Sequence, residues 1–174
     1  MTASRDGAGS RGEHILREAN AAWAAIIADP AARAEVEAER TLWDATLADG
    51  LESEDWRDDA GAGAGEIWWA SLDPVIGHEQ AGTRPVLIVS ADTYTQGPLG
   101  LVVILPMTRR IRPFPLHIAV QPVETGLASA GAIMCEQPRV IAQQRLLNQR
   151  AAGRLNAAVM DRGDRLLKAV LDLS

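Results

Sequence analysis

Arg84 stands where chemistry could use it. The stretch Pro74-Val75-Ile76-Gly77-His78-Glu79-Gln80-Ala81-Gly82-Thr83-Arg84-Pro85 is polar and punctuated by glycine, and it runs directly into the apolar Val86-Leu87-Ile88-Val89. An arginine at that junction is expected to have a rigid base and a solvent-facing head, as a phosphate-clamping guanidinium requires. The alternative for a lone arginine is a surface salt bridge. A second group follows in Pro106-Met107-Thr108-Arg109-Arg110-Ile111-Arg112, which sets a hydroxyl beside three cationic side chains. The alternative there is a solvated basic surface. Other chemistries are poorly supplied. Cys135 is the only cysteine and ends the apolar run Ala132-Ile133-Met134, so it reads as a buried structural thiol rather than a nucleophile. His14, His78 and His117 are scattered, and no Cys/His cluster has metal-ligand spacing, so no metal and no cofactor is expected.

Charge divides the chain in two. Residues 1–65 hold 14 Asp/Glu against 6 Lys/Arg, and residues 66–174 hold 9 against 11. The first part therefore carries a net −8 and the second +2, within a total of −6. A cationic domain with its own anionic tail suggests a nucleic-acid binder whose groove is occupied in cis by a polyanion mimic. The alternative is a solubilising extension, but solvating tails are poor in aromatics and this one contains Trp23, Trp43 and Trp56. No apolar run approaches the length of a membrane span, and no basic region precedes an apolar core at the N-terminus. With the lone cysteine, this sets the expectation of a cytoplasmic protein.

The elements that must position these residues follow from spacing. Residues 1–9 are small and polar, so they are expected to be disordered, with Ser10-Arg11-Gly12-Glu13 opening a helix as a capping box. Ile15, Leu16, Ala19, Ala22, Trp23, Ile26 and Ile27 then form one helical stripe. Asp29-Pro30 ends that helix and caps another, which carries Val36, Trp43 and Leu47 and stops at Asp49-Gly50. The acidic string from Leu51 through Asp59 reads as extended. Two single-stripe helices need something to lie on, either as helix-in-groove binding with an extended anchor or as a hairpin packed permanently on the next domain. Residues 60–65 read as a Gly/Ala linker between the segment 1–59 and the domain 66–174. Beyond it, short apolar runs at Glu66–Leu72, Pro85–Ala91, Leu101–Leu105, Leu116–Val120, Ala132–Cys135 and Val140-Ile141 predict five or six strands. Leu155, Val159, Leu166, Leu167, Val170 and Leu171 predict a closing helix after Asn156. The fold class is α+β: a small β-barrel covered by a C-terminal helix, behind a helical and extended tail.

Three separated runs in the second part form a recognisable pattern. Gly65-Glu66-Ile67-Trp68-Trp69, then Gly77-His78-Glu79-Gln80-Ala81-Gly82-Thr83-Arg84-Pro85-Val86-Leu87, then Pro106-Met107-Thr108 and Cys135-Glu136-Gln137 resemble the MazF/PemK family of toxin endoribonucleases. Separately, Leu42 through Leu51 and Glu52-Ser53-Glu54-Asp55-Trp56 resemble the C-terminal, toxin-binding part of a MazE-type antitoxin. The antitoxin's N-terminal DNA-binding domain is expected to be absent.

The resemblance implies an SH3-like barrel and a metal-independent ribonuclease acting on single-stranded RNA, in which the 2′-hydroxyl attacks the adjacent phosphate. Arg84 and Thr108 are then the catalytic pair. His78, Glu79 and Gln80 become substrate-loop contacts, and Arg109, Arg110, Gln137 and Arg139 line the RNA groove. His78 stands where the family often has serine, so it is either an added acid–base group or an exposed loop residue. The resemblance also implies a homodimer whose groove crosses the subunit interface. In the tail, Trp43, Leu51, Glu54, Asp55 and Trp56 are the expected inhibitory anchors, acting in cis or on a neighbouring subunit. An Ala-Gly linker joining antitoxin to toxin fits either an engineered or a natural fusion. Two other readings compete: a non-enzymatic inhibitor of a gyrase-like partner on the same fold, and a catalytically silent toxin–antitoxin scaffold.

Overall fold

The computed structural model describes residues 6–32, 34, 35, 38, 61–147 and 150–173. Its strands are β1 (Glu66–Ser71), β2 (Thr83–Ile88), β3 (Leu101–Thr108), β4 (His117–Val120), β5 (Gly131–Met134), β6 (Arg139–Ala142) and β7 (Gly153–Arg154). Its helices are α1 (Asp6–Ala28), the single turns α2 (Asp92–Thr95) and α3 (Pro122–Thr125), and α4 (Ala157–Leu171). All strand pairs are antiparallel, in the order β4-β5-β3-β2-β1-β7 with β6 on β3. Among the described residues the sheet is therefore a half-barrel, open at β4 and β7, rather than a closed barrel. β3 is the hub: Leu101–Ile104 pair with β6, Met107 and Thr108 pair with β5, and the sheet curls where one partner gives way to the other. Pro106, which has no N–H to donate, stands in the gap between those two pairings.

Alternation along the strands builds two cores. Ile67, Leu87, Leu105, Met107 and Ile133 face Phe114, Leu116, Ile118, Leu155 and Leu166. On the opposite face Trp68, Ala70, Val86, Ile88, Val102 and Ile104 meet Ala62, Ile141 and Leu146. α4 covers the first core. It is capped by Asn156, whose side chain accepts from Val159 N at 3.0 Å. β7 is reached by a close approach at Gly153, where a Cβ would lie 1.7 Å from the Thr125 carbonyl oxygen.

α1 begins at Asp6, so Ser10 lies inside the helix and does not cap it. Gly7, Gly9 and Gly12 each cost only about 1 kcal/mol, too little to stop propagation. The other boundary falls as expected: α1 ends at Ala28, the Asp29 carboxylate accepts from Ala31 N at 2.9 Å, and residues 30–32 are again helical. α1 packs against α4, with Ala19 buried in the first core and Ile15 and Ala22 against it. Residues 61–65 sit on the domain's rim. Ala62 is buried, Gly63 N donates to Glu66 Oε2 (2.9 Å), Ala64 N to Asp92 Oδ1 (2.8 Å) and Gly65 N to Ile88 O (2.9 Å). No helix among the described residues is long and apolar enough to cross a membrane. Trp43, Leu51, Glu54, Asp55 and Trp56 lie outside the described residues.

Candidate active site

The loop between β1 and β2 is closed at its neck and gripped near its tip. Both Asp73 carboxylate oxygens accept from Gly82 N at 3.1 Å, and Leu72 N donates to Gly82 O at 3.0 Å. Gly82 has φ +75°, a left-handed conformation that a side chain would strain. Gln137 reaches across from the turn after β5: its Oε1 accepts from Gln80 N at 2.9 Å, and its Nε2 donates to His78 O at 3.4 Å. Arg145, which sequence reasoning did not single out, donates through Nη1 to the carbonyl oxygens of Ser71 (3.2 Å) and Asp73. The signal was weak, because an arginine bracing two carbonyls looks in sequence like any surface cation.

Arg84 departs from expectation. Its head does not face solvent: the residue is fully buried, and Nε donates to Ala81 O at 2.6 Å. Parity explains this. Arg84 shares a strand face with Val86 and Ile88, and both belong to the second core. It pairs with Ala70 of β1, and on its other side Val86 pairs with Pro106. The β2–β3 pairing ends there, and Met107 and Thr108 pair with β5 instead. Thr108 is buried at the end of β3, and its Oγ1 accepts from Arg110 N at 3.1 Å, which fixes the turn that carries the cationic run.

The remaining expected residues fall into two hollows. One cavity of about 460 Å³ is lined by His78, Glu79, Gln137 and Arg139, joined by Glu136, Phe114 and Leu116 and, from α1, by Ala19 and Asn20. A smaller one of about 60 Å³ is lined by Thr108 and Arg109 with Trp69, Pro85 and the 127–131 loop. Arg84 is not among the described residues of either wall. Gln80 is buried, and its backbone N–H is held by Gln137. Arg110 does not stand open to the groove: its guanidinium is ion-paired with Glu35 of the N-terminal segment. Arg109 is exposed.

Two groups were overlooked by sequence reasoning. Glu136 Oε1 and His117 Nε2 are hydrogen-bonded at 3.0 Å, and the His117 ring lies 4.8 Å from that of Phe114. Glu136 belongs to the recognisable run, whereas His117 opens a β-strand and carries no signal of its own. Cys135 is buried, and burial, with the neighbouring Glu136 carboxylate, pushes its thiol up to about 12. It is therefore protonated and inert. Among the described residues no group of three His, Cys, Asp or Glu side chains converges as metal ligands.

Comparisons with known proteins agree on one portion of the chain. Residues 64–171 match the family model described as PemK-like, MazF-like toxin of type II toxin-antitoxin system. Endoribonuclease MazF9 of Mycobacterium tuberculosis is 38% identical over 114 residues, covering 63% of this chain and 95% of that protein. The crystal structure of MazF from Deinococcus radiodurans superposes with a TM-score of 0.57 at 26% identity, over 66% of this chain and 99% of the other. A MazE-MazF structure from the same organism superposes with a TM-score of 0.54 at 26% identity, over 67% and 100%.

Proposed function

This chain belongs to the PemK-like, MazF-like toxins of type II toxin-antitoxin systems, and from that premise we propose that it cuts single-stranded RNA while its own N-terminal segment restrains the reaction. The ribonuclease reading is supported by the similarity to MazF9, named an endoribonuclease, over nearly the whole of that protein. The observation that carries the assignment is Arg84: a guanidinium fixed at Nε near the head of a buried strand of the matched domain. A charge held this rigidly costs no reorganisation when the phosphoryl oxygens become more negative in the transition state.

The reaction needs no nucleophile from the protein. The 2′-oxygen forms a bond to phosphorus and loses its proton, the bond from phosphorus to the 5′-oxygen breaks, and the leaving oxygen takes up a proton. The products are a 2′,3′-cyclic phosphate and a 5′-hydroxyl. Arg84 stays protonated, so it stabilises charge or donates to the leaving oxygen rather than acting as a base. Thr108 orients the phosphate from the neighbouring strand. His78, Glu79, Gln80, Gln137, Arg109, Arg110 and Arg139 form or support the loop and groove that hold the RNA. No metal takes part in this scheme. Two subunits share the groove in a cytoplasmic homodimer.

Residues 1–59 act as the antitoxin-like part, joined through 60–65 to the catalytic domain 66–174. The MazE-MazF structures of similar fold support an antitoxin as the partner. One feature of this chain supports restraint in cis: the Glu35–Arg110 ion pair. Trp43 and Trp56, with Leu51, Glu54 and Asp55, are the proposed anchors of the tail. The test is cleavage of single-stranded RNA by the full chain and by a domain beginning at Gly61, which keeps the rim contacts of residues 61–65. Faster cleavage by the domain supports restraint. Equal rates refute it, and no cleavage by either refutes the ribonuclease.

A further inference from the structure

We infer that His117 is a positioning residue for the RNA loop: through Glu136 it sets the turn from which Gln137 grips residues 78–80. This deepens the ribonuclease reading of the same site and rests on it. His117 opens β4 opposite Met134 of β5, and its side chain is 10% exposed. Its Nε2 lies 3.0 Å from Glu136 Oε1. A carboxylate only accepts, so Nε2 carries the proton and donates. Nδ1 is buried and has no hydrogen-bond partner among the described residues. One polar contact therefore orients the ring, with the Phe114 ring against it at 4.8 Å between centroids.

The tie matters because of where Glu136 sits. Met134, Cys135, Glu136 and Gln137 form the turn after β5, closed by Gln137 N donating to Met134 O at 3.3 Å. That is a long bond for an amide, so the turn gains from a second restraint. Cys135 N is held by Leu116 O at 3.0 Å, which leaves Glu136 as the turn's outer corner. Fixing its carboxylate to β4 fixes that corner. The next residue is Gln137, whose side chain holds Gln80 N and His78 O. Glu136, Gln137 and His78 line the larger cavity, whereas His117 is not among its described walls. The histidine stands behind the wall and acts on RNA only through its neighbours. Arg84 lies off this route: its Nε bond goes to Ala81 O, beside the neck that Asp73 holds at Gly82. His117 therefore governs how well RNA is held rather than how fast it is cut.

The experiment uses the full-length chain and the variants His117→Phe, His117→Gln, Gln137→Ala and the His117→Phe/Gln137→Ala double. Phenylalanine keeps a ring beside Phe114 and removes the donor, and glutamine restores a donor near the place of Nε2. Amide exchange at Gln80 is followed beside that of the buried Leu87, and KM and kcat are measured for single-stranded RNA. In His117→Phe, Gln80 is expected to lose most of its protection while Leu87 keeps its own, and His117→Gln is expected to restore it. Outer partners that orient metal ligands are worth about 10- to 100-fold in affinity, and the lower figure applies here because Gln137 keeps its own bonds. KM is thus expected to rise about tenfold with kcat nearly unchanged, the mark of lost binding rather than a lost transition-state contact. Because the two residues act in series, the double variant exchanges no faster at Gln80 than Gln137→Ala alone. Wild-type protection of Gln80 in His117→Phe overturns the inference, as do additive effects in the double variant, no rescue by His117→Gln, or a fall in kcat with KM unchanged. Should His117→Phe fail to fold, Glu136→Ala removes the same bond from its other end, and Gln80 exchange decides. Failure of the ribonuclease reading looks different: neither the wild type nor any variant cuts RNA, while Gln80 exchange follows the expected pattern.

Discussion

Gln137 is predicted to act through the loop it grips, and Gln137→Ala isolates that role. The side chain supplies the acceptor for Gln80 N at 2.9 Å and a longer donor contact to His78 O at 3.4 Å. Gln80 is 9% exposed, so water does not readily replace the lost acceptor. Leaving a buried amide unsatisfied costs about 1–3 kcal/mol, and the 3.4 Å contact adds little. The expected destabilisation is therefore about 1–2 kcal/mol. For a chain of this size each kcal/mol lowers Tm by about 2–4 °C, so Tm falls by about 2–8 °C. Two measurements check this, thermal unfolding and hydrogen exchange at the Gln80 amide. Gln137→Glu separates the contacts, because it keeps an acceptor for Gln80 N while removing the donor to His78 O. It is expected to preserve Gln80 protection while Gln137→Ala loses it. Equal Gln80 exchange in wild type and Gln137→Ala refutes the idea that this amide clamps the loop.

Gly153→Ala is expected to destabilise the chain by about 3 kcal/mol or more, since its Cβ would meet the Thr125 carbonyl at 1.7 Å and backbone must move; urea unfolding measures this, and a cost below about 1 kcal/mol contradicts the close approach. Asn156→Ala removes the cap of α4 and is expected to cost about 1 kcal/mol, read as a lowered midpoint with unchanged slope. Cys135, pushed up to about 12 from an ordinary 9.0, stays a thiol in the fold while the unfolded chain ionises. Its contribution to stability is therefore complete below pH 9 and is lost progressively as pH rises toward 12. At pH 8 it should resist thiol reagents until the chain unfolds, and rapid labelling of native protein contradicts its burial. Truncating both Trp43 and Trp56 to Ala in the full chain is expected to cost about 2 kcal/mol or more each in tail binding and to release cleavage. A double variant as silent as the wild type, beside an active domain, removes these anchors.

Regular apolar periodicity was legible, and orientation within buried strands was not. The Asp29-Pro30 boundary stands where capping chemistry placed it, and α4 follows Asn156 as its apolar spacing implied. Six strands, β1 to β6, appear within a few residues of their apolar runs. β7 was missed because two residues, Gly153 and Arg154, carry no pattern, and the single turns α2 and α3 are too short to have one. Arg84 shows a deeper difficulty. A continuously apolar strand is buried on both faces, so Val86-Leu87-Ile88 gives no parity from which to read whether residue 84 points to solvent or inward. The fold answers inward, because the second core includes Val86 and Ile88. The His117–Glu136 pair was invisible for another reason: the two residues, 19 apart in sequence, are brought together only by the register in which β4 pairs with β5.

The most direct test of the central claim is the rate of single-stranded RNA cleavage by the domain beginning at Gly61, in excess EDTA, with and without Arg84→Ala. Loss of a fixed charge at the reacting phosphate costs about 3–4 kcal/mol, or about a hundred- to thousandfold in rate. Because Arg84 is buried, the variant is compared by thermal unfolding and circular dichroism, and Arg84→Lys serves as a second variant that keeps charge but not the Nε contact to Ala81 O. The account predicts metal-independent cleavage that ends in a 2′,3′-cyclic phosphate, stops when the nucleotide 5′ to the scissile bond is 2′-deoxy, and collapses in a folded Arg84→Ala domain. Cleavage at near wild-type rate by that folded variant contradicts it.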